Sequence, residues 1–137
     1  MHPLLPTLQK GLDGLGLAVP AEQQAQLLAY MDLIAKWTKV YNLTAVRDAK
    51  EMLTHHLLDS LAVVAPLRRE MATLVLPEGQ TRLSLLDVGA GAGLPGIVIA
   101  ITCPEIAVTC VDTVAKKAAF IQQVAATLKL PNLKGLH

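Results

Sequence analysis

The sequence predicts an α/β fold in which helices come first and a parallel sheet begins afterwards. Three observations carry that expectation. Apolar residues ahead of position 82 recur at helical spacing. A short apolar run, "LSLLDV" (83–88), leads straight into a glycine-rich stretch, "GAGAGLPG" (89–96). A second run, "IAVTCVD" (106–112), ends in an acid and is followed by another helical stretch. Strand, glycine loop, helix, strand, acid, helix is the opening half of a doubly wound parallel sheet. The character changes near position 82, dividing an N-terminal helical region, 1–82, from a partial cofactor-binding domain, 83–137.

The elements follow in order. Residues 1–19 are punctuated by Gly and Pro and hold at most one short helix, ahead of Gly11. Pro20 suits the first turn of a better helix. There Leu27, Tyr30, Met31, Ile34 and Trp37 share one face. Trp37 on that stripe reads as core packing rather than a stacking platform. "YNLTAVRD" (41–48) breaks the helix. Asp48 and Glu51 are spaced as a capping box for the next one. Its stripe is Met52 or Leu53, Leu57, Leu61 and Val64, and Pro66 ends it. Residues 67–82 read as a linker with a turn at "PEGQ". "PGIVIAIT" (95–102) is ambiguous by composition, but its place after the loop argues for a helix, stopped before Pro104. Thr113 is placed to cap the last helix, whose apolar face is Ala118, Ile121, Val124 or Ala125, and Leu128. "PNLKGLH" (131–137) reads as a turn out of it, so two strands are expected.

Composition bounds the function. The chain has 137 residues, 53% hydrophobic and 17% charged, with one Trp, one Phe and two Tyr. Its mean hydropathy is +0.45. The core must be built from Leu, Ile, Val and Ala. A net charge of +1 gives no general pull toward nucleic acid. Between Lys36 and Arg69 there is a mild cationic bias, six Lys/Arg against three acids. Cys103 and Cys110 lie inside apolar runs without CxxC spacing, as free thiols in a reducing compartment would. The N-terminus lacks a basic leader before an apolar run. No apolar run reaches the ~18 residues that span a bilayer. A soluble cytoplasmic protein is expected.

The glycine loop carries the chemistry. Gly91-Ala92-Gly93-Leu94-Pro95-Gly96 fits GxGxxG, a weak motif alone. It gains weight from the strand before it, the helix after it and Asp112 at the end of the next strand. Two chemistries share this scaffold, and in both the acid after the second strand binds ribose hydroxyls. NAD brings a pyrophosphate, which wants free N–H donors at the helix N-terminus. S-adenosylmethionine has no phosphate and carries a sulfonium and an ammonium. Asp87 sets a carboxylate just before the loop, and Pro95 removes one N–H donor. Both disfavour a pyrophosphate, so adenosylmethionine is favoured over NAD.

The stretches "LDVGAGAGLPGIVIAI" and "VDTVAKKAAFIQQV" resemble the ribosomal RNA small subunit methyltransferase G family. These are the bacterial 16S rRNA guanine-N(7) methyltransferases once called glucose-inhibited division protein B. "KWTKVYNLTAVRDAKEMLTHHLLDSLAVVAPL" is similar to that family's N-terminal signature. The resemblance runs from about Leu27 to Leu130. It implies N-terminal helices followed by the first half, strand–helix–strand–helix, of a Rossmann-like class I methyltransferase sheet. It implies S-adenosylmethionine as cofactor, and 16S rRNA of the small ribosomal subunit as substrate and partner. By position, Gly89, Gly91, Gly93 and Leu94 would line the methionine and ribose side, and Asp112 would take the ribose hydroxyls. The adenine-contacting turn would lie beyond His137, making the chain an N-terminal piece of a larger sheet. Apolar edges left open would then favour self-association. Guanine N(7) has a lone pair and no proton to remove, so no general base is required, and no catalytic residue is assigned.

Other residues admit two readings each. His55, His56, Asp59 and Ser60 are spaced i, i+4 in two pairs. One helix supplies too few ligands for a metal and too narrow an arrangement for a hydrolase triad. His56 is then either a hydrogen-bonded structural histidine or, by the resemblance, a residue bordering the site. Asn42 and Thr44 either cap loose backbone groups or, by the resemblance, line the cofactor cleft. Lys116 and Lys117 are either solvated charge or contacts to rRNA phosphate. The rival functions are an NAD-dependent oxidoreductase fragment and a non-catalytic RNA- or ribosome-binding module.

Overall fold

The structure, a computed structural model, describes residues 2–41 and 56–137, with backbone alone at 38–41. Its order is α1 (Leu5–Leu15), α2 (Ala21–Tyr41), α3 (Leu58–Leu61), α4 (Val64–Met71), β1 (Ser84–Val88), α5 (Gly96–Thr102), β2 (Ala107–Val111), α6 (Ala115–Thr127) and β3 (Leu133–Leu136). The three strands form one parallel sheet in the order β1-β2-β3. The α/β class, the leading helices and the parallel sheet are as the sequence predicts.

Alternation along the strands decides the layers. Leu85, Val108, Cys110 and Leu133 point to one face, beneath α5 and α6, and are buried or half-buried there. Leu86 pairs with Thr109 and Thr109 with Lys134; Val88 pairs with Val111 and Val111 with Leu136. Those residues make the opposite face, which no described element covers. α2 crosses the outside of α5 and α6. Leu27, Leu28, Tyr30, Met31 and Ile34 complete one continuous core with Ile97, Ile101, Phe120, Ile121 and Val124. Trp37 stands edge-on to Phe120 at 5.2 Å, packing as its helical stripe predicts.

Four elements differ from the sequence reading. α1 does not stop at Gly11 but runs on to a Schellman ending, with Leu17 N–H on Leu12 O and Gly16 N–H on Asp13 O. At Gly11 a Cβ would lie 2.6 Å from Leu58 Cδ2. Glycine there lets α1 lie against α3, and that packing outweighs a helix-propensity cost of about 1 kcal/mol.

Pro66 does not end a helix. It lies in the first turn of α4, where an N–H would have no intrahelical partner. The break falls earlier, at 62–63, and helix continues to Met71. The proposed capping box at Asp48 and Glu51, and Met52 or Leu53, lie outside the described residues.

The segment 131–137 is not a simple turn but holds β3. Lys129 at φ 55 ends α6, with Leu130 N–H on Ala125 O, and turns the chain back. Asn132, buried, donates from Nδ2 to Ala100 O (3.0 Å), Ile106 O (2.9 Å) and, more weakly, Cys103 O (3.4 Å). Its own carbonyl accepts from Val108 N–H. One amide thus ties the start of β3 to the end of α5 and the start of β2. Finally, Thr113 does not cap α6, whose N-cap is Val114 with no side-chain cap; Asp112 Oδ1 accepts from Val114 N–H just ahead of the helix.

No described helix is long and apolar enough to cross a membrane. Cys103 and Cys110 are buried free thiols, and burial, with Asp87 beside it, pushes the Cys110 thiol up to about 12.

Candidate functional site

The candidate site is the loop 89–95 at the carboxyl end of the sheet, where ligands of such folds bind. It exists because β1 must stop, cross the tip of β2 and start α5 within a few residues. Gly89, Gly91 and Gly93 all have positive φ (72, 59 and 98°), which L side chains resist. Gly89 N–H and Ala90 N–H both bond to Val111 O at the end of β2 (2.8 and 3.2 Å). The turn then closes through Gly93 N–H on Ala90 O at 2.9 Å. A Cβ on Gly89 or Gly91 would meet nothing within 4 Å, so the outer side of the loop is open. Gly93 faces inward: a Cβ there would run into Ile97 and lie 3.2 Å from Tyr30 Oη. Leu94 is half-buried beside it.

Asp112 follows β2 and reaches the loop. Its Oδ2 accepts from Gly91 N–H at 2.9 Å and its Oδ1 from Val114 N–H at 2.8 Å. The Val114 N–H is the main cause holding this carboxyl below the usual carboxylate range. Gly91 N–H, Lys117 and His137 add to it, against partial burial. The acid is therefore an anion with lone pairs left for further donors. It is only 7% exposed and is held beside the loop by Gly91 N–H.

Asp87 does something the sequence did not reveal. It lies beneath the loop, on the covered face of the sheet, and Oδ2 accepts from Gly96 N–H at 3.1 Å. Burial pushes its carboxyl up, opposed by that hydrogen bond. A Cβ on Gly96 would lie 2.5 Å from Cys110 Sγ and 2.7 Å from Asp87 Oδ2, so glycine is needed for α5 to start this close to the sheet. The start of α5 consequently offers few donors: Pro95 has no N–H, Gly96 N–H is held by Asp87, and Ile97 N–H by Gly93 O.

The structure thus brings Gly89, Gly91, Gly93, Leu94 and Asp112 together around one loop. Lys116 and Lys117 stand in the first turn of α6, next to Asp112, with Lys116 exposed. His56 is half-buried at the turn leading into α3. Asn42, Thr44 and His55 lie outside the described residues. Among the described residues no three His, Cys, Asp or Glu side chains gather as a metal ion would need. A cleft of about 300 Å³ lies at the far end of α5, lined by Leu17, Val64, Arg68 and Glu105 among others. Its Arg68 donates to Thr102 O at 2.7 Å, capping α5.

Tyr30 was missed as a residue of this site. Its spacing marks only a core position, yet its Oη donates to Ala92 O at 2.6 Å. A tyrosine rather than a phenylalanine on a buried stripe is the one signal that could have found it, since a buried phenol needs a partner.

The family model described as rRNA small subunit methyltransferase G (GidB) matches residues 23–137. The chain belongs to this family. It is 67% identical over 130 residues to a ribosomal RNA small subunit methyltransferase G of Polaromonas sp. (strain JS666 / ATCC BAA-500), covering 95% of this chain and 56% of that relative. It is 64% identical over 140 residues to the protein of the same name from Albidiferax ferrireducens, covering 100% of this chain and 62% of the relative. For Polaromonas naphthalenivorans the figures are 63% over 131 residues, 96% and 58%. The chain therefore spans 56–62% of the length of these curated relatives of the methyltransferase G family.

Proposed function

We propose that this chain forms the N-terminal helices and the first part of the cofactor domain of an adenosylmethionine-dependent methyltransferase acting on N(7) of a guanine in 16S rRNA, in the cytoplasm. The observation that carries the cofactor is the start of α5. A pyrophosphate needs free N–H donors there, and Pro95, Gly96 and Ile97 offer none. The outer side of Gly89 and Gly91 is open, and beside it stands the Asp112 anion. That fits a ligand with a ribose to hold and no phosphate. The family supplies the rRNA substrate.

When bound, the cofactor supplies an electrophilic methyl on its sulfonium. The residues of this chain bind and orient. The backbone of Gly89, Gly91 and Gly93, with Leu94, would line the methionine and ribose side. Asp112 would accept hydrogen bonds from ribose hydroxyls through lone pairs that Gly91 and Val114 leave free. Guanine N(7) would bring its own lone pair, so positioning would suffice and no group here would need to move a proton. By the family resemblance Lys116 and Lys117 would meet RNA phosphate and His56 would border the cleft.

The test has two stages. Isothermal titration of a chain extended to the relatives' length, with adenosylmethionine and with NADH, separates the cofactors; micromolar NADH binding without adenosylmethionine binding would overturn the reading. Methyl transfer from labelled adenosylmethionine to small ribosomal subunits then tests the reaction. A chain that binds rRNA but transfers no methyl would be a binding module instead.

A further inference from the structure

Among the described residues, three side chains hold the glycine loop and its junction with α5 by hydrogen bonds. Asp112 accepts from Gly91 N–H and Asp87 from Gly96 N–H. Asp87 belongs to β1, which runs into the loop, and Asp112 follows β2, the neighbouring strand. The third comes from outside the sheet. Tyr30 lies in the middle of α2, 62 positions from Ala92, is fully buried, and donates from Oη to Ala92 O at 2.6 Å. We propose that Tyr30 is a positioning residue of the cofactor loop, through which helix α2 fixes the Ala92–Gly93 peptide in its ligand-ready orientation. This rests on the cofactor reading given above.

Geometry supports it in three ways. In a trans peptide the C=O and N–H point in opposite directions. Drawing Ala92 O down onto Tyr30 therefore turns Gly93 N–H the other way, where it meets Ala90 O at 2.9 Å and closes the turn. Next, α2 is anchored on both sides of Tyr30. Gln26 Nε2 donates to Leu128 O at 3.2 Å, and Trp37 packs edge-on to Phe120. The phenol is thus delivered from a fixed support. Lastly, Tyr30 Oη would lie 3.2 Å from a Cβ on Gly93, so the phenol is in direct contact with the loop at the residue of largest φ. Burial, with Cys110 and Asp87 nearby, keeps that phenol protonated and donating.

The experiment compares the unaltered chain with Tyr30→Phe, which keeps the ring and removes only the donor, and with Leu8→Ala. The latter lowers stability from α1, which contributes nothing to the loop. Amide hydrogen exchange is read at Gly89, Ala90 and Gly93. Tyr30→Phe is expected to speed exchange at Gly93 about tenfold. Gly89 and Ala90, held by Val111 O, should keep their protection. Leu8→Ala should change the three together or not at all. Equal protection of Gly93 in Tyr30→Phe and the unaltered chain overturns the proposal, as does a uniform change matching that of Leu8→Ala.

A second reading uses the extended protein and S-adenosylhomocysteine in equilibrium dialysis. Tyr30→Phe is expected to weaken binding about tenfold, and Leu8→Ala to leave it unchanged below its melting temperature. Unchanged affinity in Tyr30→Phe overturns the positioning role. If the unaltered extended protein does not bind, the cofactor reading fails, while the exchange result still decides whether Tyr30 sets the loop.

Discussion

At the scale of single residues, four positions make stability depend on local chemistry in opposite senses. Lys129 holds a left-handed φ of 55 at the end of α6, a conformation that costs a non-glycine residue about 1 kcal/mol. Lys129→Gly is expected to stabilise the fold by about 0.5 kcal/mol after the extra unfolded-state entropy of glycine, measured by urea denaturation. Asn132→Ala should do the reverse. It strips the donor from Ala100 O and Ile106 O in a buried place, at a cost of about 2–3 kcal/mol, visible in the same titration. Asp87 and Asp112 differ in how stability follows pH. Asp112 is held below the ordinary carboxylate range, so its contribution is present at neutral pH and is lost as pH falls through its lowered folded-state value. Asp87 is held above that range. Its contribution is full below the unfolded value and is lost as pH rises through the raised folded value. Asp87→Asn, which retains an acceptor for Gly96 N–H, should therefore gain on the parent at pH 7 and lose that advantage below pH ~3. Melting curves across that range check the sign. A constant difference between the two proteins would contradict it.

At the scale of elements, the start of α5 depends on Gly96 because Cys110 and Asp87 occupy the space a methyl would fill. Gly96→Ala is expected to lower stability by about 1–3 kcal/mol through overpacking. Cys110→Ala in the same chain should recover part of it, so the double-mutant cycle should show coupling of at least about 0.5 kcal/mol. Additivity would show that α5 moves freely instead. The same elements show what a sequence discloses. β1, α5, β2 and α6 were legible because each is bounded by a glycine, a proline or an acid that changes the hydrophobic period. The α2 stripe was legible because Leu27, Tyr30, Met31 and Ile34 need nothing beyond a 3.6-residue repeat. β3 was not, since Leu133-Lys134-Gly135-Leu136 has no β-branched residue and its pairing comes from β2 and Asn132. Gly11 and Pro66 misled for one reason. Their local preference for ending a helix was overridden, by Leu58 against α1 in one case and by a first-turn position in the other. In the site, the glycines and Asp112 were readable from spacing. Tyr30 and the inward turn of Asp87 were not, because both depend on which face of α2 and β1 meets the loop.

At the scale of the whole molecule, the described residues cover the sheet on one face only. Leu86 and Val88 on β1 are 63% and 74% exposed, and Leu136 on β3 continues the same face. Among the described residues β1 pairs with β2 alone, so one of its edges keeps free N–H and C=O groups. An apolar face next to an open edge is the arrangement that pairs with another sheet. Relatives of the family have more chain than this, 56–62% of their length being matched here. A chain of these 137 residues alone has, among its described residues, no element to lay over that face. The self-association expected from the sequence therefore falls to be tested on this face. Sedimentation velocity over a concentration series is expected to show association that strengthens with concentration. Leu86→Lys with Val88→Lys places two charges on the bare face without touching the core, and should return the chain to a monomer with little loss of melting temperature. A parent chain that sediments as one monomer at every concentration, with a single cooperative unfolding transition, would show instead that three strands and one packed face suffice for a stable unit.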